Sequence, residues 1–175
     1  MNNFLNKYSN QIHNLLKNKD KEFQKFCQLI ESIKKPKKIF ICGNGGSSSI
    51  ASHVAVDFLK MTNLNFVNFS DHNLITCFAN DFGYENWLSK ALDANMNKND
   101  IVILISSSGK SKNMVNAMKT LKKRKIYVIT FTGFSKSNFL NKNGNLNIWI
   151  DSKSYNFIEM AHHIFLVAAV DKIKK

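Results

Sequence analysis

Two short apolar runs each end in a turn of glycines and serines, and the residue types in those turns suit an anion. Lys37-Lys38-Ile39-Phe40-Ile41-Cys42 leads into Gly43-Asn44-Gly45-Gly46-Ser47-Ser48-Ser49, and Asp100-Ile101-Val102-Ile103-Leu104-Ile105 leads into Ser106-Ser107-Ser108-Gly109-Lys110-Ser111. A strand ending in small residues that open onto a helix aims backbone N–H groups and hydroxyls at one point, where the helix N-terminus favours negative charge. In the second turn Ser106, Ser107, Ser108 and Ser111 all offer hydroxyls, and Gly109 lets the backbone approach a ligand closely. Two such turns at the carboxyl ends of parallel strands fall on one rim of the sheet, where open α/β folds bind ligands. The chemistry predicted is a small-molecule site that holds a phosphate. Neither turn has the spacing of the ATP-binding loop or of the dinucleotide fingerprint, so no nucleotide cofactor is expected.

Carboxylates and histidines supply a second kind of chemistry. His53 and Asp57 lie four apart on the helix after the first turn, and Glu159 and His163 repeat that spacing on the last helix, with His162 beside them. Such pairs serve as general acid and base, as four ligands to a divalent metal, or as plain ion pairs on a helix surface. Ala161, Ile164, Phe165, Val167, Ala168 and Ala169 make the last helix largely apolar, and an acid or histidine buried among them needs a partner. Asn80 and Asp81 follow Cys77-Phe78-Ala79 and either end that helix or reach sugar hydroxyls. Lys110 either pairs with the phosphate or faces water.

Strands alternating with helices must position these groups. Helical spacing of Leu5, Tyr8, Ile12, Leu15 and Leu16, and then of Phe23, Phe26, Cys27, Ile30 and Ile33, predicts a helical pair that Pro36 closes. Ile50, Val54, Val56 and Phe58 mark the helix after the first turn, 66–69 an edge strand, and Ser70-Asp71 the cap of a helix stopping near Gly83. Trp87, Leu88, Ala91 and Leu92 make another helix, 112–123 the helix behind the serine turn, 126–131 and 146–150 two more strands, and roughly 157–173 a long final helix. This alternation predicts a parallel sheet covered on both faces. The expected organisation is one domain over 1–175, with the helical pair in 1–35 and the α/β core in 36–175.

Composition narrows the function classes. The 175 residues are 44% apolar, enough for a core, and no run is long enough to span a membrane. The amino-terminal segment lacks the pattern of a signal peptide, so a cytoplasmic protein is expected. Cys27, Cys42 and Cys77 are widely spaced among apolar neighbours and are predicted to be buried rather than paired or zinc-bound. The net charge of +13 invites a nucleic-acid reading, but the bases are spread over several lysine runs at helix ends, and Arg124 is the sole arginine. Solvated helix faces are the better reading, and nucleic acid is not an expected partner.

With these residues assembled, the chain resembles the SIS (sugar isomerase) domain family, and within it the phosphoheptose isomerases. The resemblance rests on Gly43-Asn44-Gly45-Gly46-Ser47, Ala79-Asn80-Asp81-Phe82-Gly83 and Ser106-Ser107-Ser108-Gly109-Lys110-Ser111, in the family's order and spacing, and runs from about Lys37 to the carboxyl terminus. The two amino-terminal helices also fit. It implies an α/β three-layer sandwich of flavodoxin-like type with a five-stranded parallel sheet, and a homotetramer with active sites at subunit interfaces. It also implies conversion of sedoheptulose 7-phosphate to D-glycero-D-manno-heptose 7-phosphate for lipopolysaccharide or capsule synthesis. By position, the serines at 106, 107, 108 and 111 would hold the phosphate, and Asn44, Gly45, Gly46, Ser47, Asn80 and Asp81 would contact the sugar.

The same resemblance places His53 on a metal ligand, Asp57 on a glutamate that moves the proton and binds metal, and Glu159 on a glutamine of the metal set. Val167 stands where a histidine is expected, and His163, one turn after Glu159, is the residue placed to substitute for it. His53, Asp57, Glu159 and His163 would then give zinc two nitrogens and two oxygens. The implied reaction runs through an enediol, with Asp57 taking the proton and His163 or His162 serving the other atom. Val167 keeps open a non-catalytic phosphosugar sensor or a partner-binding protein of the replication-initiator-associating type. An isomerase for another sugar phosphate is the third reading.

Overall fold

Apolar runs that are each followed by a helix can pair only in parallel, because the helix returns the chain to the starting edge of the sheet. The computed structural model of this chain describes residues 3–34 and 36–174. Met1, Asn2 and Lys175 at the ends of the expected domain, and Lys35 at the end of the expected helical pair, lie outside the described residues. The strands are β1 (Lys38–Gly43), β2 (Asn65–Asn68), β3 (Ile101–Ser106), β4 (Tyr127–Thr132) and β5 (Leu146–Trp149), all parallel, in the order β2-β1-β3-β4-β5. This is the flavodoxin-like order, whose ligand crevice opens between β1 and β3 at their carboxyl ends. The register pairs Gly43 with Ile105 and Ser106 with Thr132. The glycine turn and the serine turn therefore leave the sheet side by side.

The helices are α1 (Phe4–Leu16), α2 (Asp20–Glu31), α3 (Gly46–Thr62), α4 (His72–Phe82), α5 (Trp87–Asn95), α6 (Lys112–Lys123), α7 (Phe139–Asn143) and α8 (Tyr155–Ile173). Alternate residues of each strand face opposite layers. Ile39, Ile41, Ile103, Ile105 and Phe131 meet Phe26, Val54, Phe58, Phe165 and Leu166 from α2, α3 and α8. Phe40, Cys42, Val102, Leu104 and Val128 meet Trp87, Leu88, Leu92, Met114 and Met118 from α5 and α6. The result is the three-layer sandwich that the alternation predicts. The tyrosine of α1, Tyr8, packs against Phe157 of α8 with the rings tilted and 4.5 Å between centroids.

One expectation needs correction, and three details go beyond the sequence pattern. Cys77 is exposed, because α4 packs through Leu74, Ile75, Phe78 and Ala79 and leaves that side chain in water, whereas Cys27 and Cys42 are buried as expected. Val56 is 62% exposed, on the opposite side of α3 from the buried Val54 and Phe58, about 200° of helix rotation from each. In α1 no residue is fully buried and Leu5 is 76% exposed. The short helix α7 was not predicted. It is held by Asn138, whose side chain accepts from the Asn141 N–H, rather than by apolar periodicity.

Candidate active site

The serine turn is fixed by backbone and side-chain bonds that a spacing pattern does not reveal. The Gly109 N–H donates to the Ser106 carbonyl at 3.0 Å, and the Gly133 N–H donates to the Ser107 carbonyl at 2.8 Å. Gly109 has φ +62°, and a Cβ there would run into the side chain of the buried Asn138. The glycine turn is tied to the serine turn through a reciprocal amide pair. Asn44 Nδ2 donates to Asn113 Oδ1 at 2.9 Å, and Asn113 Nδ2 donates back to Asn44 Oδ1 at 2.8 Å.

Between the two turns lies a cavity of about 120 Å³, lined by Asn44, Ser47, Ile105, Ser106, Ser107, Ser108, Ser111, Tyr155 and Glu159. Pockets for whole small molecules begin at roughly 300 Å³, so this one matches a phosphate group better than a complete sugar. Helices α3, α6 and α8 all begin at its wall, and their N-caps Gly45, Ser111 and Ser154 make no side-chain hydrogen bond to their own helices. First-turn N–H groups there are available to an anion. The Ser107 hydroxyl is buried without a hydrogen-bond partner among the described residues, and a phosphate oxygen would supply one.

Glu159 is the carboxylate of this cavity. Its carboxyl group lies directly against Gly46, in the space a Cβ at that position would take. Desolvation raises its pKa above the ordinary glutamate value. Asp57, His53 and His163 form a separate string across α3 and α8. His53 Nε2 lies 3.0 Å from Asp57 Oδ2, and His53 Nδ1 lies 2.8 Å from His163 Nε2. With His53 neutral and donating to Asp57, its Nδ1 accepts from His163 Nε2–H, and the lone pair of the string falls on His163 Nδ1. The pKa of His163 is lowered, first by desolvation and then by His53, against the pull of Asp57.

His162 does not belong to the site. It is fully buried, with Nε2 3.2 Å from the Thr132 carbonyl and its ring edge-on to Phe131. Burial pushes its pKa down to about 4, against the raising effect of the Thr132 carbonyl. One residue of helix rotation separates it from His163 and turns it into the core, so it cannot serve a substrate in the cleft. Asn80 and Asp81 are exposed on α4, hydrogen-bonded to each other at 3.1 Å, and do not line the cavity. Val167 is half-buried against the core. Gly45 holds φ +51° at the mouth of α3.

The expected zinc set does not converge in this arrangement. Both ring nitrogens of His53 are engaged by protein groups, Glu159 faces the serine cavity, and no three His, Cys, Asp or Glu residues gather around one point among the described residues. Sequence reasoning missed two residues. Asn113 sits on the buried face of α6, where an amide among Met114, Ala117 and Met118 signals a polar partner, and Tyr155 opens α8 two residues before the predicted start.

Fold and cavity together define a flavodoxin-like α/β protein with a phosphate-sized polar site at the strand ends. A family model described as SIS domain matches residues 3–133, and the chain belongs to that family. The match takes in the two amino-terminal helices and ends before β5 and α8. A phosphoheptose isomerase of Cytophaga hutchinsonii is 37% identical over 110 residues, covering 60% of this chain and 58% of that protein. The alignment thus spans less than two thirds of that relative. Another phosphoheptose isomerase, from Glaesserella parasuis, is 37% identical over 135 residues, covering 74% of this chain and 68% of that protein. The solved structure of a phosphoheptose isomerase from Francisella tularensis superposes with a TM-score of 0.88 at 23% identity, covering 98% of this chain and 95% of that one, and so shares the fold.

Proposed function

We propose that this chain is a ketose–aldose isomerase of phosphorylated sugars, with sedoheptulose 7-phosphate as substrate and D-glycero-D-manno-heptose 7-phosphate as product. Cytoplasmic synthesis of surface polysaccharide is the setting this reading implies. The observation that carries it is the phosphate-sized serine cavity with a partly desolvated carboxylate on its wall. The phosphate enters among Ser106, Ser107, Ser108 and Ser111, and the sugar extends past Glu159. A carboxylate whose pKa desolvation raises is a stronger base than an ordinary glutamate for taking a carbon-bound proton. Glu159 takes the proton from the carbon beside the carbonyl, an enediol forms, and the same carboxylate returns the proton to the neighbouring carbon. His163 Nδ1, backed by His53 and Asp57, moves the hydroxyl proton between the two oxygens. No net oxidation occurs, and zinc enters no step. Homotetramer assembly is part of the same reading.

The test is incubation of the purified chain with sedoheptulose 7-phosphate, with zinc and with chelator in parallel, following aldose phosphate by NMR. Turnover that survives chelator and disappears in Glu159→Gln is expected. Turnover abolished by chelator would restore the metal set. Stabilisation by the sugar phosphate in a thermal-shift titration, with no turnover of any ketose phosphate, would replace catalysis by the sensing or partner-binding role that Val167 suggests. A flat thermal shift with every sugar phosphate would remove the phosphate site itself.

A further inference from the structure

A second cavity of about 440 Å³ adjoins the serine cavity and shares Ser108 and Tyr155 with it. Its other walls are Lys110, Phe134, Ser135 and Lys153. The aromatic wall is fixed, because the Phe134 ring lies 4.9 Å from that of Tyr155 and Phe134 packs on the small core of Ile150, Ile158 and Ala161. The Phe134 N–H also donates to the Ser152 carbonyl at 2.8 Å. Phe134 holds φ +50°, a conformation that L residues adopt only when surroundings enforce it. The ammonium groups of Lys110 and Lys153 are exposed, and among the described residues neither has an ion-pair partner. Two uncompensated cations, two hydroxyls and two ring faces thus sit beside a phosphate-sized pocket.

We infer that this second cavity is an anion subsite, so that sugar phosphates carrying a second anionic group, a phosphate or a carboxylate, bind more tightly than monophosphates and act as competing ligands of the site rather than as its substrate. The inference rests on the serine cavity being the phosphate site proposed above. In such a ligand one phosphate lies among the serines, the carbon skeleton crosses Ser108 against Tyr155 and Phe134 instead of extending past Glu159, and the second anion meets Lys110 and Lys153. Hydrogen bonds between charged partners are the strong ones, and two ammonium groups on one anion give both affinity and a steep salt dependence.

Isothermal titration with three six-carbon probes, fructose 6-phosphate, fructose 1,6-bisphosphate and 6-phosphogluconate, tests this. The expected result is binding of the bisphosphate or of 6-phosphogluconate at least about tenfold tighter than fructose 6-phosphate, since one charged hydrogen bond supplies that much. Which of the two is preferred distinguishes phosphate from carboxylate. In Lys110→Ala/Lys153→Ala the preference disappears, while fructose 6-phosphate binds within about threefold of the parent. Lys119→Ala/Lys172→Ala removes the same charge from exposed positions elsewhere and keeps the preference, which excludes a mere effect of net charge. Equal affinity for all three probes, or a preference that survives loss of Lys110 and Lys153, overturns the second subsite and leaves the phosphate site standing. Failure of all three probes and of inorganic phosphate to bind overturns the phosphate site, and the subsite with it.

Discussion

Glu159 and His163 are one turn apart on α8 yet serve different neighbourhoods, the carboxylate in the serine cavity and the imidazole in the string to His53 and Asp57. If Glu159 is the base, Glu159→Gln lowers kcat by at least about a hundredfold with little change in KM, because the amide keeps the shape and loses the proton acceptor. Desolvation places its pKa above 4.5, so the acid limb of the kcat profile falls at a higher pH than an ordinary glutamate would give. Asp57→Asn acts only through the string and costs less, which steady-state kinetics on the two variants separates. His162 makes a different prediction. Its pKa in the folded chain is about 4, against 6.5 for the free side chain, so the unfolded chain takes up the proton more readily between those values. The stability tied to keeping it neutral is complete above pH 6.5 and lost as pH falls towards 4, a difference of about 3 kcal/mol. Urea denaturation at pH 7.5, 5.5 and 4.5 should show that slope in the parent and a shallower one in His162→Met.

Two strand-turn-helix units, β1-α3 and β3-α6, build the cavity, and their alignment depends on register and on the Asn44–Asn113 pair. Asn113→Ala leaves the half-buried amide of Asn44 without its partner, costs about 1–2 kcal/mol of stability, and weakens phosphate binding as the turns drift apart. Gly46→Ala keeps the helix but pushes the Glu159 carboxyl aside, so sugar phosphate affinity persists while turnover falls. Thermal shift and NMR turnover on the two variants distinguish these effects. The elements themselves were legible in the sequence, since buried parallel strands read as continuous apolar runs and both turns are written in glycine and serine. What was not legible depends on tertiary contact. Periodicity cannot say whether His162 or His163 faces the cleft, because the two are neighbours on one helix and only the packing of α8 on the sheet decides. The outward position of Asn80 and Asp81, the pairing of Asn113, and the helix α7 likewise arise from contacts between distant segments.

At the scale of the whole molecule, the surface around the His53–His163 contact is too apolar for a face left in water. Val56 and Leu59 on α3 are 62% and 52% exposed, beside His53 and Asp57, and Met160 and Ile164 on α8 are 39% and 46% exposed, flanking His163. A groove of about 220 Å³ lined by Leu16, Phe23, Ile164, Phe165 and Ala168, with Lys19 and Asp20 at its charged edge, continues that surface. Contiguous apolar patches of this kind mark association surfaces. A second copy of the chain is the occupant that the homotetramer reading requires, and closed symmetric assembly would bring the same patch of each subunit together. Such a contact would also desolvate the Asp57–His53–His163 string and strengthen its hydrogen bonds. Val56→Lys/Ile164→Lys places charges in the patch without touching the serine cavity. Sedimentation velocity should then show the parent as an oligomer and the variant as a monomer that still binds sugar phosphate. Turnover in that monomer falls if the neighbouring copy completes or desolvates the acid–base string. A parent that sediments as a monomer and still turns over would instead give the apolar face to another protein and leave each chain with a self-sufficient site.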